Sequence, residues 1–127
     1  MLQENELREI RTKYPDIKFV VEEPQWLIAQ KEDIREFPSS QVYFIAAARS
    51  AIKIGISNSP ETRLTELQTA HYEKLVLLGT MPGHLKTEWY LHHHFAEERL
   101  QREWFRPSSR LLSFVKDNRI QRHIRRD

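Results

Sequence analysis

Between Val42 and Leu67 the chain carries a pattern that fits a β-hairpin running straight into a helix. Val42-Tyr43-Phe44-Ile45 and Ile52-Lys53-Ile54-Gly55-Ile56-Ser57 are β-branched and aromatic runs on either side of Ala48-Arg49-Ser50. Alternation within a strand puts Ile52, Ile54 and Ile56 on one face, with Lys53, Gly55 and Ser57 on the other. A register that sets Tyr43 opposite Lys53 or Gly55 brings phenol and ammonium out on one side. A slip by one residue separates them. Gly55, without a side chain, is expected to leave room beside the tyrosine ring. Ser59 suits the N-cap of the helix that follows, Pro60 its first position, and Glu61 the positive end of its dipole. Arg63 then falls in the first turn at the margin of a Leu64/Leu67 stripe, close to the sheet. A guanidinium held there offers a planar fork to a phosphate, although Glu61 or Glu66 could neutralise it.

Around this unit the chain reads as one modest domain of 127 residues. Leu7, Ile10 and Tyr14 recur at helical spacing in Leu2 to Tyr14, and Ile17 to Val21 has the composition of a strand. Trp26 to Ala29 has ambiguous periodicity, and Lys31 to Ser40 reads as a charged connection. Residues 1–40 are thus expected to form an N-terminal helix and strand extension, 41–118 the main domain and 119–127 a basic tail. Lys74 to Met81 is a third strand, apolar enough to be central. A long helix is expected from about His84 to Leu100, and Ser108 caps a last one. Trp104 and Phe105 are expected in the core. The absence of cysteine excludes disulfides and thiolate metal sites and suits a reducing compartment. No apolar run approaches membrane-spanning length and no signal-peptide pattern opens the chain, so a cytoplasmic protein is expected.

The second helix carries the remaining chemistry. His92-His93-His94 cannot share one metal ion, because adjacent helical residues diverge by about 100°. Glu88 does share a face with His92, and with His84, at i, i+4. Leu91 and Phe95 border that face, which places Glu88 beside the core with only Lys86 as a nearby cation. One carboxylate completed by water and phosphate is a common magnesium site. His93 and His94 read as solvated surface residues. Asn118 either reaches the site or ends its own helix.

Taken together, Val42-Tyr43-Phe44, Lys53-Ile54-Gly55 and Pro60-x-x-Arg63-Leu64 resemble the GIY-YIG nuclease superfamily. Glu88-x-x-Leu91-His92-x-x-Phe95, Arg99 and Glu103-Trp104-Phe105 resemble its phage and microbial branch. The likeness spans Gln41 to about Lys116. Gln41-Val42 stands where the first motif has its glycine, Lys53 replaces the second tyrosine, and His71 occupies a position where an asparagine or small residue is expected. The resemblance implies an α+β fold, a three-stranded antiparallel sheet flanked by helices, and metal-dependent cleavage of DNA in the host cytoplasm if the gene is a phage's. It makes Tyr43, Arg63 and Glu88 the site residues, with Glu88 holding Mg²⁺ or Mn²⁺.

In the chemistry so implied, Tyr43 takes a proton from the attacking water, with its phenol pKa lowered by the Lys53 ammonium. Arg63 stabilises charge growing on the phosphate oxygens. His92 orients Glu88, ligates through water or protonates the leaving group. Arg49, Lys53, Arg63 and Arg99 contact DNA phosphates, and a homodimer or a partner protein could supply second-strand cutting or specificity. Two other classes stay open: a nucleic-acid-binding module on the same fold without turnover, and a histidine-rich metal protein with no nucleic-acid role.

Overall fold

The computed structural model describes residues 3–13 and 23–120. The strand expected over Ile17 to Val21 and most of the basic tail lie outside them. Helix α1 spans Glu4–Lys13 and α2 spans Gln25–Glu36. Strand β1 (Gln41–Ala47) turns at Ala48 to Ser50 into β2 (Ala51–Ser57), and α3 (Pro60–Thr69) follows. Then come β3 (Leu75–Pro82), α4 (Leu85–His94), a 3₁₀ turn at Ala96–Glu98, a hairpin of β4 (Arg99–Gln101) and β5 (Trp104–Phe105), and α5 (Ser109–Asn118).

The protein is α+β, with an antiparallel sheet flanked by helices. The sheet has five strands, in the order β3-β1-β2-β5-β4. Two expectations are corrected here. Strand β3 is an edge, paired with β1 alone, and β2 is the middle strand, with β1 on one side and β5 on the other. The helix expected to reach Leu100 stops at His94. Beyond it the chain tightens into the 3₁₀ turn and then the β4–β5 hairpin, whose tip is Arg102 at a φ of 50°. The region read as a charged connection is also helical as far as Glu36.

Alternation along β1 and β2 builds two cores. Val42, Phe44, Ala46, Ile52 and Ile54 face Trp26 of α2, Leu91 of α4, Phe95 just past its end, and Leu111 and Val115 of α5. On the opposite side Tyr43, Ile45, Ala47 and Leu75 meet Leu64 and Leu67 of α3, together with Trp104. Phe105 is buried in the first core as expected, whereas Trp104 is half-buried in the second.

Helix α2 does more than precede the sheet. The buried Asp33 carboxylate accepts from the backbone N–H groups of His84 (2.9 Å) and Thr87 (2.8 Å), and from the Thr87 hydroxyl (2.8 Å). An acid on one helix therefore caps another, satisfying two orphan donors at the N-terminus of α4. Gly83 permits this close packing, since a Cβ there would lie 2.8 Å from the Thr87 hydroxyl oxygen. Ser108 caps α5 as expected, accepting from the Leu111 N–H at 3.1 Å. Ser59 occupies the N-cap of α3, but its hydroxyl donates to Thr62 and caps no backbone N–H.

Candidate active site

The hairpin register pairs Tyr43 with Gly55 and Ile45 with Lys53, so phenol and ammonium emerge on the α3 side of the sheet. Gly55 leaves room for the tyrosine itself: a Cβ at position 55 would run into the ring and hydroxyl of Tyr43. No space is left there for a further group, and the ring is almost completely buried. Arg63, delivered by the first turn of α3, hydrogen-bonds the phenol and also pairs with Glu66 at 3.1 Å. Burial raises the phenol above its ordinary pKa, Arg63 pulls it down, and the charges of Glu103 and Glu88 push it up. The net direction is upward, which corrects the expected fall. The cation beside the phenol is Arg63 and not Lys53.

Lys53 instead reaches the β4–β5 hairpin. Its side chain is largely buried, with Nζ 3.1 Å from a Glu103 carboxylate oxygen and 5.5 Å from the centre of the Trp104 ring. Glu103 is the site residue that sequence reasoning missed as an actor. Its charge bears on Tyr43, Glu88 and His92 alike. The one signal pointing to it was its place in the Glu103-Trp104-Phe105 motif.

Strand β5 runs beside β2 only at Ile52 and Lys53. Past that point the Ile54 carbonyl takes a hydrogen bond from His92 Nε2 at 3.0 Å. A carbonyl can only accept, so Nε2 carries the hydrogen. Burial lowers the His92 pKa, and the ring lies 5.1 Å from Phe105. A neutral, backbone-bound imidazole is poorly suited to protonating a leaving group. Its evident effect is to tie α4 to β2.

Glu88 lies one turn earlier on the same face of α4. Its carboxylate is half-buried, and no described residue donates a hydrogen bond to it or pairs with it. Lys86, the expected partner, is taken by Glu32 at 2.9 Å. The Glu88 pKa is pushed up to about 7, first by burial and then by the charge of Glu103, with Lys53 opposing. Such an acid fits a single-carboxylate cation site: it is desolvated and has no counter-charge of its own. Among the described residues no three His, Asp or Glu side chains group around a common point. His84 does not join Glu88, because its Nδ1 lies 2.6 Å from the Ser40 hydroxyl and its ring stacks on Phe37.

Arg63, Glu103 and Glu88 thus act on Tyr43, Glu103 and Lys53 act on Glu88, and Lys53 pairs with Glu103, while His92 is tied to the Ile54 carbonyl. The other expected contacts stand apart. Arg49 is exposed at the hairpin turn. Arg99 is exposed, with its Nε donating to the Arg102 carbonyl at 2.6 Å. Asn118 donates to the Phe114 carbonyl of its own helix at 2.9 Å, which leaves its amide at a helix end. His93 and His94 are exposed, as expected.

A family model described as the T5orf172 domain matches residues 40–125. That family is associated with nuclease-like phage proteins, although no model of the GIY-YIG family itself matches directly. No curated protein matches the chain significantly, nor does any solved structure. Among the described residues no helix is long and apolar enough to cross a membrane.

Proposed function

The chain belongs to the T5orf172 domain family, and on that premise we propose that it is a metal-dependent DNA endonuclease with a GIY-YIG type site. The observation that carries this reading is Glu88, a half-buried carboxylate with no hydrogen-bond or ion-pair partner among the described residues, whose charge acts on the Tyr43 phenol beside Arg63. Glu88 would hold a Mg²⁺ or Mn²⁺ ion, which when bound supplies Lewis-acid polarisation of the scissile phosphate.

The chain's own groups do the rest. Arg63 is half-exposed, and its contact with Glu66 is a surface pair of small worth. The guanidinium can therefore give up Glu66 for a phosphate oxygen while keeping the phenol. Tyr43 accepts the proton of the attacking water only once its own proton has gone to solvent, and Arg63 is the cation that favours this phenolate against burial, Glu103 and Glu88. Lys53 swings from Glu103 toward the DNA backbone, and His92 keeps α4 in register with β2. Arg49 and Arg99 add exposed positive charge for phosphates farther along.

The test is nicking of supercoiled plasmid with added Mg²⁺ or Mn²⁺, comparing the parent with Tyr43→Phe, Arg63→Ala and Glu88→Ala. Metal-dependent nicking by the parent and its loss in all three is the expected result. A Glu88→Ala protein that cuts as fast as the parent removes the site assignment. The second reading, a DNA-binding module without turnover, draws on the Tyr43 phenol, whose raised pKa works against a base. It predicts a salt-sensitive gel shift with no nicking under any metal.

A further inference from the structure

Beside Lys53 lies a feature that phosphodiester chemistry does not require. Trp104, His71 and Tyr72 form a row of rings leading outward from Lys53. Lys53 Nζ is 5.5 Å from the Trp104 ring centre, Trp104 is 5.7 Å from His71, and His71 is 6.0 Å from Tyr72 with the two planes only 7° apart. Exposure climbs along the row, from half-buried Trp104 to Tyr72 at 96%. An aromatic so exposed gains nothing from the core. The loop presenting it is nevertheless fixed. The Gln68 side-chain amide donates to the His71 and Glu73 carbonyls at 3.1 and 2.9 Å, and its oxygen accepts from the Leu75 N–H at 2.8 Å. The Ser50 hydroxyl joins the loop to the hairpin turn through Glu73 at 3.2 Å. Exposed Arg49 and Lys74 flank it. His71 Nδ1 is shielded from solvent and has no hydrogen-bonding partner among the described residues.

A solvent-facing ring on a fixed loop, among cations and next to the residues proposed to bind phosphate, has the chemistry of a nucleobase platform. We propose that Tyr72, at the outer end of the row through His71 and Trp104, stacks an unpaired DNA base next to a phosphate held by Lys53. The preferred substrate is then DNA with single-stranded nucleotides at the cut, since a base inside a duplex has both faces covered by its neighbours. The inference rests on the nucleic-acid-binding part of the function proposed above and not on turnover.

Its test is a metal-free titration, with chelator present, of the full chain against a short single-stranded oligonucleotide carrying 2-aminopurine, and against its annealed duplex. Stacking quenches the probe, so the parent is expected to quench it and to bind the single strand more tightly than the duplex. Tyr72→Ala should lose about tenfold in single-strand affinity together with most of the quenching, and Tyr72→Phe should keep both. Equal single-strand binding by Tyr72→Ala and the parent overturns the proposal, as does a parent that leaves the probe unquenched. So does a Tyr72→Phe protein as weak as Tyr72→Ala, which would assign the effect to the hydroxyl. Plasmid nicking reads the other claim separately. A chain that never nicks but quenches through Tyr72 loses only the endonuclease reading, and one that nicks with no role for Tyr72 loses only the platform.

Discussion

Two glutamates ten residues apart are both drawn out of water, and the protein treats them oppositely. Glu98, in the 3₁₀ turn, is almost wholly buried. It has a fixed partner in Arg110 at 2.9 Å, and that guanidinium also donates to the His94 carbonyl and lies over the Phe95 ring. Glu88 is half-buried with no described partner, and the nearest charges acting on it include another carboxylate. The first arrangement locks α5 to the end of α4. The second leaves a carboxylate without a fixed partner, with Lys53 alone opposing burial and Glu103, a cost that would suit the cation proposed above. Burial of an acid is therefore uninformative by itself; whether the chain supplies the counter-ion separates scaffold from site.

That contrast can be broken at several points. The largest effect should come from Glu88→Gln, which removes the anion with little change of shape. Metal-dependent nicking should fall by at least about 10²-fold, measured by plasmid conversion at saturating Mg²⁺. Glu98→Ala should leave chemistry nearly intact but cost about 2 kcal/mol of stability in a urea melt, since a charge-assisted pair and its packing are lost. Gly55→Ala should cost about 1–2 kcal/mol and impair nicking as well, because the new methyl displaces the Tyr43 ring.

The smallest effect has the most telling sign. Folded Glu88 holds its proton up to about 7, whereas an unfolded carboxyl releases it near 4.5. Between those values the native state binds the extra proton, so this group's contribution to stability declines as pH rises through the window. In chelator, Glu88→Gln should be more stable than the parent by about 1 kcal/mol at neutral pH, discounted for its half-exposure, and should lose that advantage toward pH 4.5. Thermal melts at several pH values measure it. An advantage of the same size at every pH would mean that the charge is not what burdens the fold.

Much of this site was legible in the residues. Period-two alternation settled the hairpin faces, and the Tyr43–Gly55 pairing follows from a three-residue turn at Ala48 to Ser50. Ser59-Pro60 marked the start of α3 and so the place of Arg63. Helical spacing put Glu88 and His92 on one face, but spacing says nothing about which atom a ring nitrogen meets, and His92 went to a backbone carbonyl. The β4–β5 hairpin was hidden for a local reason. Its tip is an arginine in the left-handed region, so no glycine announces the turn, and the acidic run before it reads as helix. Asp33 capping α4 across about fifty positions in the chain leaves no local trace at all. Long-range side-chain bonds of that kind depend on tertiary packing that no window of sequence contains.

The brevity of β5 has a consequence of its own. With only two residues laid against β2, the ladder stops half-way through its next rung: the Ile54 N–H still reaches the Glu103 carbonyl at 3.0 Å, but the Ile54 carbonyl is left for His92 of the helix bearing Glu88. Were that strand completed by two or three more residues, a backbone N–H would claim the Ile54 carbonyl and His92 would lose its partner. Splicing extra β-forming residues in before Trp104 should therefore unfasten α4 from β2, and a shortfall in regular structure is what gives that helix its anchor.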